Sequence, residues 1–375
     1  MRFYHSREGA GLGHPRARAV IQSPAALMQS EAFQNLTPFT AESLILLDEE
    51  GREVLTLIAK ATYEIPTQGT ALALAPAQEP LVLAPVHHGE PDRSSLRYAS
   101  DAVTDKVATD VVLLGHAWSE RGLAPEVDVT LEVGPIQKQV RVFGDRTWRR
   151  VLGALKPSAP RPFRRMPLVY ERAFGGVDAS SSNPAEHLEE PENPVGVGFV
   201  RPVPGRDYEG LRLPNLEDPA ALVQEPTDRR RPAGFGFVAP SWAPRRIQAG
   251  TFDEAWAATR FPRLPANFNR RHHNAAPLDQ QARPLLEGGE AAIVRGASER
   301  GQLRFALPVN RLRGRYQLRR SEAIAMPMRL DTVVIDADAH RVSLVYRGGA
   351  RVHRRAHDLL SARVELLASA AARRP

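Results

Sequence analysis

Histidine is the residue type whose spacing comes nearest to a metal site in this sequence. Two pairs of adjacent histidines are each followed by carboxylates a few residues later. Adjacent residues on an extended strand point to opposite faces, so both histidines of a pair reach one metal ion only where the chain turns. Histidines satisfied within loops are the more common outcome, and we expect no bound metal. The residues are His87, His88, Glu90 and Asp92, and His272, His273 and Asp279.

Paired carboxylates offer a second chemistry, the hydrolysis of glycosidic bonds, in which one carboxyl donates a proton and the other acts as nucleophile or base. Tryptophans beside them would stack on sugar rings. A carbohydrate-active β-sandwich enzyme is therefore the alternative function that the sequence leaves open, although exposed loop carboxylates are common in proteins of every kind. The candidates are Glu90, Asp92, Asp101, Glu171 and Asp178, with Trp118, Trp148, Trp242 and Trp256.

Four further signatures of catalysis or cofactor binding are missing from the sequence. None of the four lysines follows a glycine, as a phosphate-binding loop requires, and the dinucleotide-binding spacing of glycines is absent. There is no nucleophile elbow and no HExxH helix. Cysteine does not occur, which excludes disulfides, thiolate-bound zinc and a cysteine nucleophile. We expect a protein that is not an enzyme and has no cofactor.

The formal charge of +7 arises from 50 basic and 43 acidic residues. The excess is local, because residues 300–375 carry 16 arginines and six acidic residues. A solvated basic face explains such a cluster more simply than a nucleic-acid site does, so we expect no nucleic-acid partner.

The N-terminal string MRFYHSREGAGLGHPRARAV scatters charges and glycines where a secretory signal has an apolar stretch of about 7 to 15 residues. No apolar run approaches the roughly 20 residues that span a bilayer. These observations predict a cytoplasmic protein that is not integral to a membrane.

Alternating apolar residues predict the hairpins that would position these groups. The clearest alternation is EVDVTLEV at 126–133, followed by a Gly-Pro turn and IQKQVRVF. ESLILLD and REVLTLIAKATYEI flank a DEEG turn and predict a second hairpin, and DTVVID with RVSLVYR predicts a third. DVVLLGHAW is apolar on both faces and predicts a more central strand.

The expected fold class is mainly β, an antiparallel β-sandwich of hairpins with a long irregular region rich in proline and glycine and a C-terminal helix. Residues 157–308 hold 20 of the 32 prolines and 13 of the 27 glycines, a density that long regular elements do not tolerate. We expect a poorly ordered arm at 1–32, a β-hairpin core at 33–156, an ordered loop region at 157–308 packed on that core, and a closing hairpin with the helix at 309–375.

An apolar stripe with a spacing of four, three and four residues predicts the C-terminal helix. An acidic residue in its first turn and arginines in its last turn suit the helix dipole. The stripe consists of Leu360, Val364, Leu367 and Ala371, and the charged residues are Asp358, Arg373 and Arg374. Shorter helices are expected at 215–224 and 253–259.

An ordered succession of short strings covers the chain from about Phe33 to Gln302. The strings are GEPDRSSLRYASD (89–101), TDVVLLGHAW, VFGDRTW, MPLVYERAFGG, NPVG, LPNLED, AGFG, AGTFDEAW, LPANFN, APLDQ and GGE. Each string alone is weak, but their order is specific. On these strings the sequence resembles the domain-of-unknown-function family DUF2169.

The resemblance implies a cytoplasmic adaptor or chaperone of bacterial type VI secretion. Such a protein binds an effector as cargo and helps load it onto the spike through a PAAR-type tip or VgrG protein. It would shield an apolar cargo segment in a groove or by strand addition at a sheet edge. No catalytic residue is implied.

An adaptor of this kind needs aromatic and arginine side chains at its surface, because these residue types dominate protein interfaces. The alternative is internal, since buried arginines with carboxylate partners and aromatic plugs hold long loops onto a sheet. The predicted partner-binding residues are Arg97, Tyr98, Trp118, Arg146, Trp148, Tyr170, Arg172 and Phe174.

Overall fold

The structure is a computed structural model that describes residues 33–120, 122–352 and 356–367. The arm predicted at 1–32 lies outside these residues. The described chain is mainly β, as the sequence predicts. Its strands are β1 (Phe33–Leu36), β2 (Thr40–Leu47), β3 (Glu53–Glu64), β4 (Ala73–Leu74), β5 (Val86–His87), β6 (Leu96–Tyr98), β7 (Thr109–Leu114), β8 (His116–Trp118), β9 (Glu126–Val133), β10 (Ile136–Phe143), β11 (Trp148–Val151), β12 (Ala154–Pro157), β13 (Arg165–Pro167), β14 (Phe174–Gly175), β15 (Val177–Asp178), β16 (Leu188–Glu189), β17 (Val197–Gly198), β18 (Leu216–Glu217), β19 (Gln281–Ala282), β20 (Ala291–Arg295), β21 (Leu303–Ala306), β22 (Leu312–Leu318), β23 (Ile324–Asp336), β24 (Arg341–Arg351) and β25 (Leu359–Leu366). The α-helices are α1 (Ala243–Arg246) and α2 (Glu254–Thr259), and short 3₁₀ helices lie at Tyr170–Arg172, Pro184–Glu186, Arg270–His273, Leu278–Gln280 and Ala356–Asp358.

Ten strands form the larger of the two main sheets. Seven of them lie in the order β1-β25-β22-β23-β24-β3-β2. The other three branch from this path: β7 pairs in parallel with β23, β19 pairs with β7, and β4 pairs with β3. The end strands β1 and β2 are joined by a short connection and contact each other. The sheet therefore curls until it is nearly closed, which protects its edges.

The three predicted hairpins are confirmed as β2–β3, β9–β10 and β23–β24, all antiparallel. On β9 the alternation selects the buried face, because Val129, Leu131 and Val133 are all 0% exposed. A shift of one residue in pairing would turn these side chains to solvent. The apolar string DVVLLGHAW forms β7, which is buried throughout, and β8.

A second sheet of five strands has the order β18-β10-β9-β20-β21. Its apolar side chains and those of the larger sheet belong to one continuous core, to which β10 contributes Val140 and β7 contributes Leu113. The mainly β class expected from the hairpin pattern is confirmed, with a nearly closed larger sheet and a second sheet that shares its core.

The proline- and glycine-rich region is irregular, as predicted. Between β12 and β22 the longest strand, β20, has five residues, and the longest helix, α2, has six. This region also supplies β18, β20 and β21 to the second sheet. Proline limits the length of its elements, because the ring removes a backbone donor.

The predicted C-terminal helix is not confirmed. Leu359–Leu366 forms strand β25, which lies between β1 and β22. Ala362 and Val364 are buried, whereas Ser361, Arg363 and Glu365 between and beside them are not, so the buried positions follow the two-residue period of a strand. Leu360, which a helical stripe would bury with Val364, is 46% exposed. Pairing with two neighbouring strands overrides the local helical pattern. Residues 368–375, which include Ala371 and the terminal arginines of the predicted helix, lie outside the described residues.

The shorter predicted helices have different outcomes. The helix expected at 253–259 is confirmed as α2. The helix expected at 215–224 is wrong, because Leu216–Glu217 forms β18 and pairs with β10 at the edge of the second sheet. In the described part of the chain, no helix is both long and apolar enough to cross a membrane.

A run of buried hydrogen bonds ties the larger sheet to the loops that cover it. Arg347 Nε donates to Asp331 Oδ2 at 2.6 Å, and Thr332 Oγ1 donates to Asp331 Oδ1 at 2.9 Å. Lys106 Nζ donates to Thr332 Oγ1 at 2.7 Å and to Asp110 Oδ2 at 2.9 Å. We call these five residues the buried charge network. Losing one partner of a buried pair leaves an uncompensated charge, which is strongly destabilising.

Asp110 provides a test of this network, because its carboxylate also accepts hydrogen bonds from Asn274 Nδ2 at 2.9 Å and Ala275 N at 2.8 Å. The substitution Asp110→Ala leaves Lys106 buried without its carboxylate, and we expect the free energy of unfolding to fall by about 3 to 5 kcal/mol. Urea denaturation measures this change. The matched control Asp92→Ala removes an exposed carboxylate, with an expected change within about 0.5 kcal/mol. Equal effects of the two substitutions would contradict the role of the network.

Candidate partner-binding surface

Four of the eight residues predicted to bind a partner are buried. Among them, Trp148 and Phe174 are each 2% exposed and pack in a small apolar cluster with Phe199, Leu213 and Val223. These side chains hold β11 and β14 against the neighbouring loops, so they do not reach a surface where a partner would bind.

Arg146 and Tyr170 are the other two buried residues. The Arg146 side chain donates to the Glu217 carboxylate and stacks on the Phe143 ring, with its guanidinium carbon 3.7 Å from the ring centroid. Tyr170 packs edge-on against Trp242 with ring centroids 5.3 Å apart, and burial raises the pKa of its phenol. All four residues therefore have the internal role that the sequence left as the alternative.

The remaining four predicted residues reach the surface at least in part. Arg97 is exposed and lies 5.4 Å from the centroid of the Tyr98 ring. Trp118 is half-buried, with the Arg165 guanidinium 5.2 Å from its ring centroid, and Arg172 is half-buried. They lie on separate elements, β6, β8 and the 3₁₀ turn at Tyr170–Arg172. Their role in partner binding stays a prediction.

The two histidine pairs make contacts with main-chain carbonyls. His87 Nδ1 lies 3.1 Å from Ser94 O, and His273 Nδ1 lies 2.9 Å from Asp105 O. Within residues 33–120, 122–352 and 356–367, no three His, Asp or Glu side chains are grouped so that they could hold a metal ion.

The carboxylates considered for glycoside hydrolysis are held by neighbouring groups. Asp101 is 7% exposed and lies 3.3 Å from Lys60 Nζ. Burial opposes ionisation of Asp178, but hydrogen bonds from Arg206 and from the Arg201 main chain outweigh it and hold the pKa of Asp178 below its usual range. Such a carboxylate is a poor general acid near neutral pH. The other candidates are Glu90 and Asp92, which are exposed, and Glu171, which accepts hydrogen bonds from Ser95.

Three aromatic side chains form a cluster at the surface around α2. The ring centroids of Phe252 and Trp256 are 4.8 Å apart, and those of Trp256 and Phe261 are 5.8 Å apart. Phe252 is 45% exposed and Phe261 is 67% exposed. We call these three residues the exposed aromatic cluster. Large apolar side chains grouped at a surface are typical of protein interaction sites.

Local hydrogen bonds position the exposed aromatic cluster. Asp253 caps α2, because its Oδ1 accepts a hydrogen bond from Trp256 N at 2.8 Å. Phe252 directly precedes this cap, and its ring lies against that of Trp256 in the first turn. Trp256 Nε1 donates to Arg263 O at 2.8 Å, which fixes the indole against the chain that follows the helix. The Trp256 ring is thus held in place although it is only half-buried.

Ion pairs attach this segment to the turn between β2 and β3. Arg260 Nη2 lies 2.8 Å and Arg263 Nη1 lies 3.7 Å from the Glu50 carboxylate. The hydrogen bond from Arg260 lowers the pKa of Glu50, so this carboxylate is ionised at neutral pH. Leu264 N also donates to Glu49 O at 3.2 Å. The turn and the aromatic segment therefore form one connected surface.

Sequence reasoning missed the exposed aromatic cluster as a site. Trp256 stands out in the sequence only as one of four tryptophans, and Phe252 only as one of many aromatic residues in the irregular region. The available signal was their spacing around the short helix predicted at 253–259.

A family model described as an uncharacterized protein conserved in bacteria, DUF2169, matches residues 50–347. The matched range includes the exposed aromatic cluster and every member of the buried charge network. No curated protein and no solved structure matches the chain. The resemblance drawn from the ordered motifs is thereby confirmed over most of the chain.

His272 makes the stability of the fold depend on pH. Burial lowers the pKa of His272 from 6.5 to about 4, so the ring is neutral at neutral pH in the folded protein. Its Nδ1 lies 2.9 Å from Arg245 O, and because a carbonyl only accepts, Nδ1 carries the hydrogen. The unfolded chain therefore binds one more proton between pH 4 and 6.5, and stability falls as the pH falls through this window.

We expect His272→Gln to flatten the pH dependence of the free energy of unfolding between pH 4 and 6.5, because glutamine keeps a donor but does not titrate. Urea denaturation at a series of pH values measures the slope. His357→Gln is the control, since its side chain is 77% exposed. An unchanged slope in His272→Gln would contradict a neutral buried ring.

Proposed function

This chain belongs to the bacterial family DUF2169, and we propose that it is a non-catalytic adaptor or chaperone that binds a type VI secretion effector. In this role it assists loading of the effector onto the PAAR or VgrG proteins of the spike and acts in the cytoplasm. The observation that carries the proposal is the exposed aromatic cluster, a group of large apolar side chains at the surface whose central ring, that of Trp256, is held by a hydrogen bond.

The physical argument rests on what such a cluster contributes to binding. The helix cap and the indole hydrogen bond fix Trp256, so little conformational entropy of this side chain is lost when a partner covers it. Tryptophan is enriched among the residues that dominate interface energies, and aromatic side chains bury large areas. Arg260 and Arg263 border the cluster with charge, which supplies the polar rim that interfaces have.

The chaperone part of the proposal concerns a cargo with an apolar segment. A cargo segment that is apolar in isolation would be covered by the exposed aromatic cluster while the effector awaits loading. The family resemblance implies this kind of cargo, and the chemistry of the cluster suits it, because aromatic rings bind apolar surface without needing specific hydrogen bonds.

The first test compares partner capture by the wild type and by Trp256→Ala. We expect the substitution to reduce binding to the effector encoded beside this chain by about 2 kcal/mol or more, because it removes the central ring of the cluster. Affinity purification with quantitative mass spectrometry identifies the effector, and calorimetry with the purified pair measures the loss. Leu123→Ala is the control, since Leu123 is 70% exposed and lies outside the cluster.

The two outcomes are distinguishable. Equal affinity of the wild type and Trp256→Ala for the effector would move the binding site away from the cluster, and recovery of no effector or spike protein would contradict the adaptor function itself.

The chaperone role has its own test, in which the effector is expressed with and without this protein. We expect the effector alone to be poorly soluble, since its apolar segment then faces water. Yield and size-exclusion profiles measure the difference. A soluble, monodisperse effector at full yield in the absence of this protein would exclude the chaperone role.

A further inference from the structure

The hairpin formed by β11 and β12 is exposed along most of its length. The two strands are joined by a loop of two residues, Leu152 and Gly153, and residues 149–154 are all exposed. A Cβ added at Gly153 would meet no atom within 4 Å, so the turn stands clear of the atoms around it. The hairpin thus projects into solvent, and the side chains at its tip are available to a partner.

The turn holds a residue that its geometry disfavours. Leu152 has a φ of 49° and Gly153 has a φ of 84°, and a type I′ turn requires positive values at both of these central positions. Asparagine and aspartate are preferred at the first position, whereas a bulky side chain is strained there. Leu152 is also fully exposed, so burial within the described part of the chain does not offset this strain.

The face of the hairpin that is turned to solvent combines charge with apolar surface. Four exposed side chains share this face by strand alternation and pairing: Arg149, Val151, Ala154 and Lys156. The two cations lie nearer the base, and the two apolar side chains lie next to the Leu152 tip. Val151 is 48% exposed. The hairpin therefore has an apolar end and a cationic stem.

The two cations of the stem lack partners. Arg149 and Lys156 stand directly opposite each other across the ladder, where like charges repel. Neither forms an ion pair with the part of the chain that the structure describes. A carboxylate placed between them would remove the repulsion and form two ion pairs in one step. The hairpin thus has two unfavourable features, a strained exposed leucine and a pair of like charges, that one partner would relieve.

The opposite face attaches the hairpin to the body of the protein. Trp148 at the base is buried in the small apolar cluster, and Leu155 packs against that cluster. Arg150 Nη2 lies 3.1 Å from Asp207 Oδ1, and Arg150 N donates to Glu209 Oε1 at 3.1 Å. The buried base and these polar contacts orient the hairpin, which lowers the entropy cost of binding its tip.

The charges around the hairpin indicate which kind of partner suits it. Three cations of the hairpin and the two carboxylates that contact Arg150 leave an excess of one positive charge, which attracts a lipid surface or a nucleic acid only weakly. In a second copy of this chain, arginines border the exposed aromatic cluster, so that cluster would repel the cationic stem. A different protein with an apolar pocket and an acidic rim matches both the leucine and the two unpaired cations.

We propose that the tip of the β11–β12 hairpin inserts into an apolar pocket of a partner protein, with an acidic side chain at the rim of that pocket contacting Arg149 and Lys156. Leu152 is the residue that enters the pocket. This surface is formed by different residues from the exposed aromatic cluster, and the inference does not depend on the partner being a secretion effector.

The first experiment replaces Leu152 by the photo-crosslinking residue p-benzoylphenylalanine in the full chain, expressed in the bacterium. We expect a crosslink to a protein whose contact peptide, mapped by mass spectrometry, contains apolar residues and an aspartate or glutamate. The same replacement of Leu123, which is 70% exposed and lies outside the hairpin, is the control and should not give this product. No crosslink from position 152, or a crosslink to a second copy of this chain, would overturn the inference.

The second experiment titrates the purified crosslinking partner with the wild type and with Leu152→Asn by calorimetry. We expect the variant to bind about ten- to a hundredfold more weakly, the loss for one buried leucine. Because asparagine is preferred in this turn, the variant should unfold at the same or a higher urea concentration than the wild type. Weaker binding without lower stability distinguishes an interface residue from a structural one. Unchanged affinity, or a lower urea midpoint, would contradict the proposal.

The acidic rim is tested by the double variant Arg149→Gln with Lys156→Gln. We expect weaker binding that has lost most of its dependence on salt, because salt screens exposed ion pairs. Leu152→Asn should keep the salt dependence of the wild type. Arg304→Gln is the matched control, an exposed arginine on β21 outside the hairpin, and should bind like the wild type. An undiminished salt dependence in the double variant would remove the acidic rim and with it the proposal.

A lipid partner is tested with a dye attached beside the tip. The sequence has no cysteine, so Ala154→Cys gives a single attachment site for an environment-sensitive dye and keeps Leu152. Vesicles of phosphatidylcholine and phosphatidylglycerol should leave the emission unchanged, and a blue shift would assign the tip to a lipid surface instead. Failure of the effector pull-down leaves the crosslink from position 152 unaffected, so this proposal and the adaptor function fail separately.

Discussion

The buried guanidinium of Arg347 is the constraint on which the arrangement of this protein depends. The side chain is 5% exposed, and a buried charge is stable only when partners compensate it. Arg347 has three acceptors: the Asp331 carboxylate on β23 and the main-chain oxygens of Asp101 and Val103 in a covering loop. Through Asp331 the buried charge network continues to Lys106 on that loop. One side chain thus fixes the central strands and the loop above them together.

The exposed aromatic cluster is attached to the same sheet through the turn between β2 and β3. Glu49 on this turn accepts a main-chain hydrogen bond from Leu264 N. The next residue of the same turn, Glu50, holds Arg260 and with it the segment that carries the exposed aromatic cluster. The turn therefore connects the larger sheet to the apolar cluster, and the arginines that make this connection border the cluster with charge.

Sequence alone predicts those elements in which the local pattern and the tertiary environment agree. On β9, Val129 and Leu131 alternate with polar residues, and the face they define is the buried one. The sequence pattern predicts the wrong element at Leu359–Leu366, where pairing with β1 and β22 overrides a helical spacing of apolar residues. Sequence patterns also do not distinguish Trp148, which is buried, from Trp256, which is not. Both tryptophans lie in segments where no periodicity marks the inner face, so burial depends on contacts distant in sequence.

Hydrogen–deuterium exchange on the complex isolated from the bacterium, compared with the free chain, tests most directly the claim that partners bind around the β2–β3 turn. The account predicts slower exchange on binding in residues 248–264, which carry the exposed aromatic cluster, because covered amides are protected. Protection confined to other parts of the chain, with this segment unchanged, would contradict it.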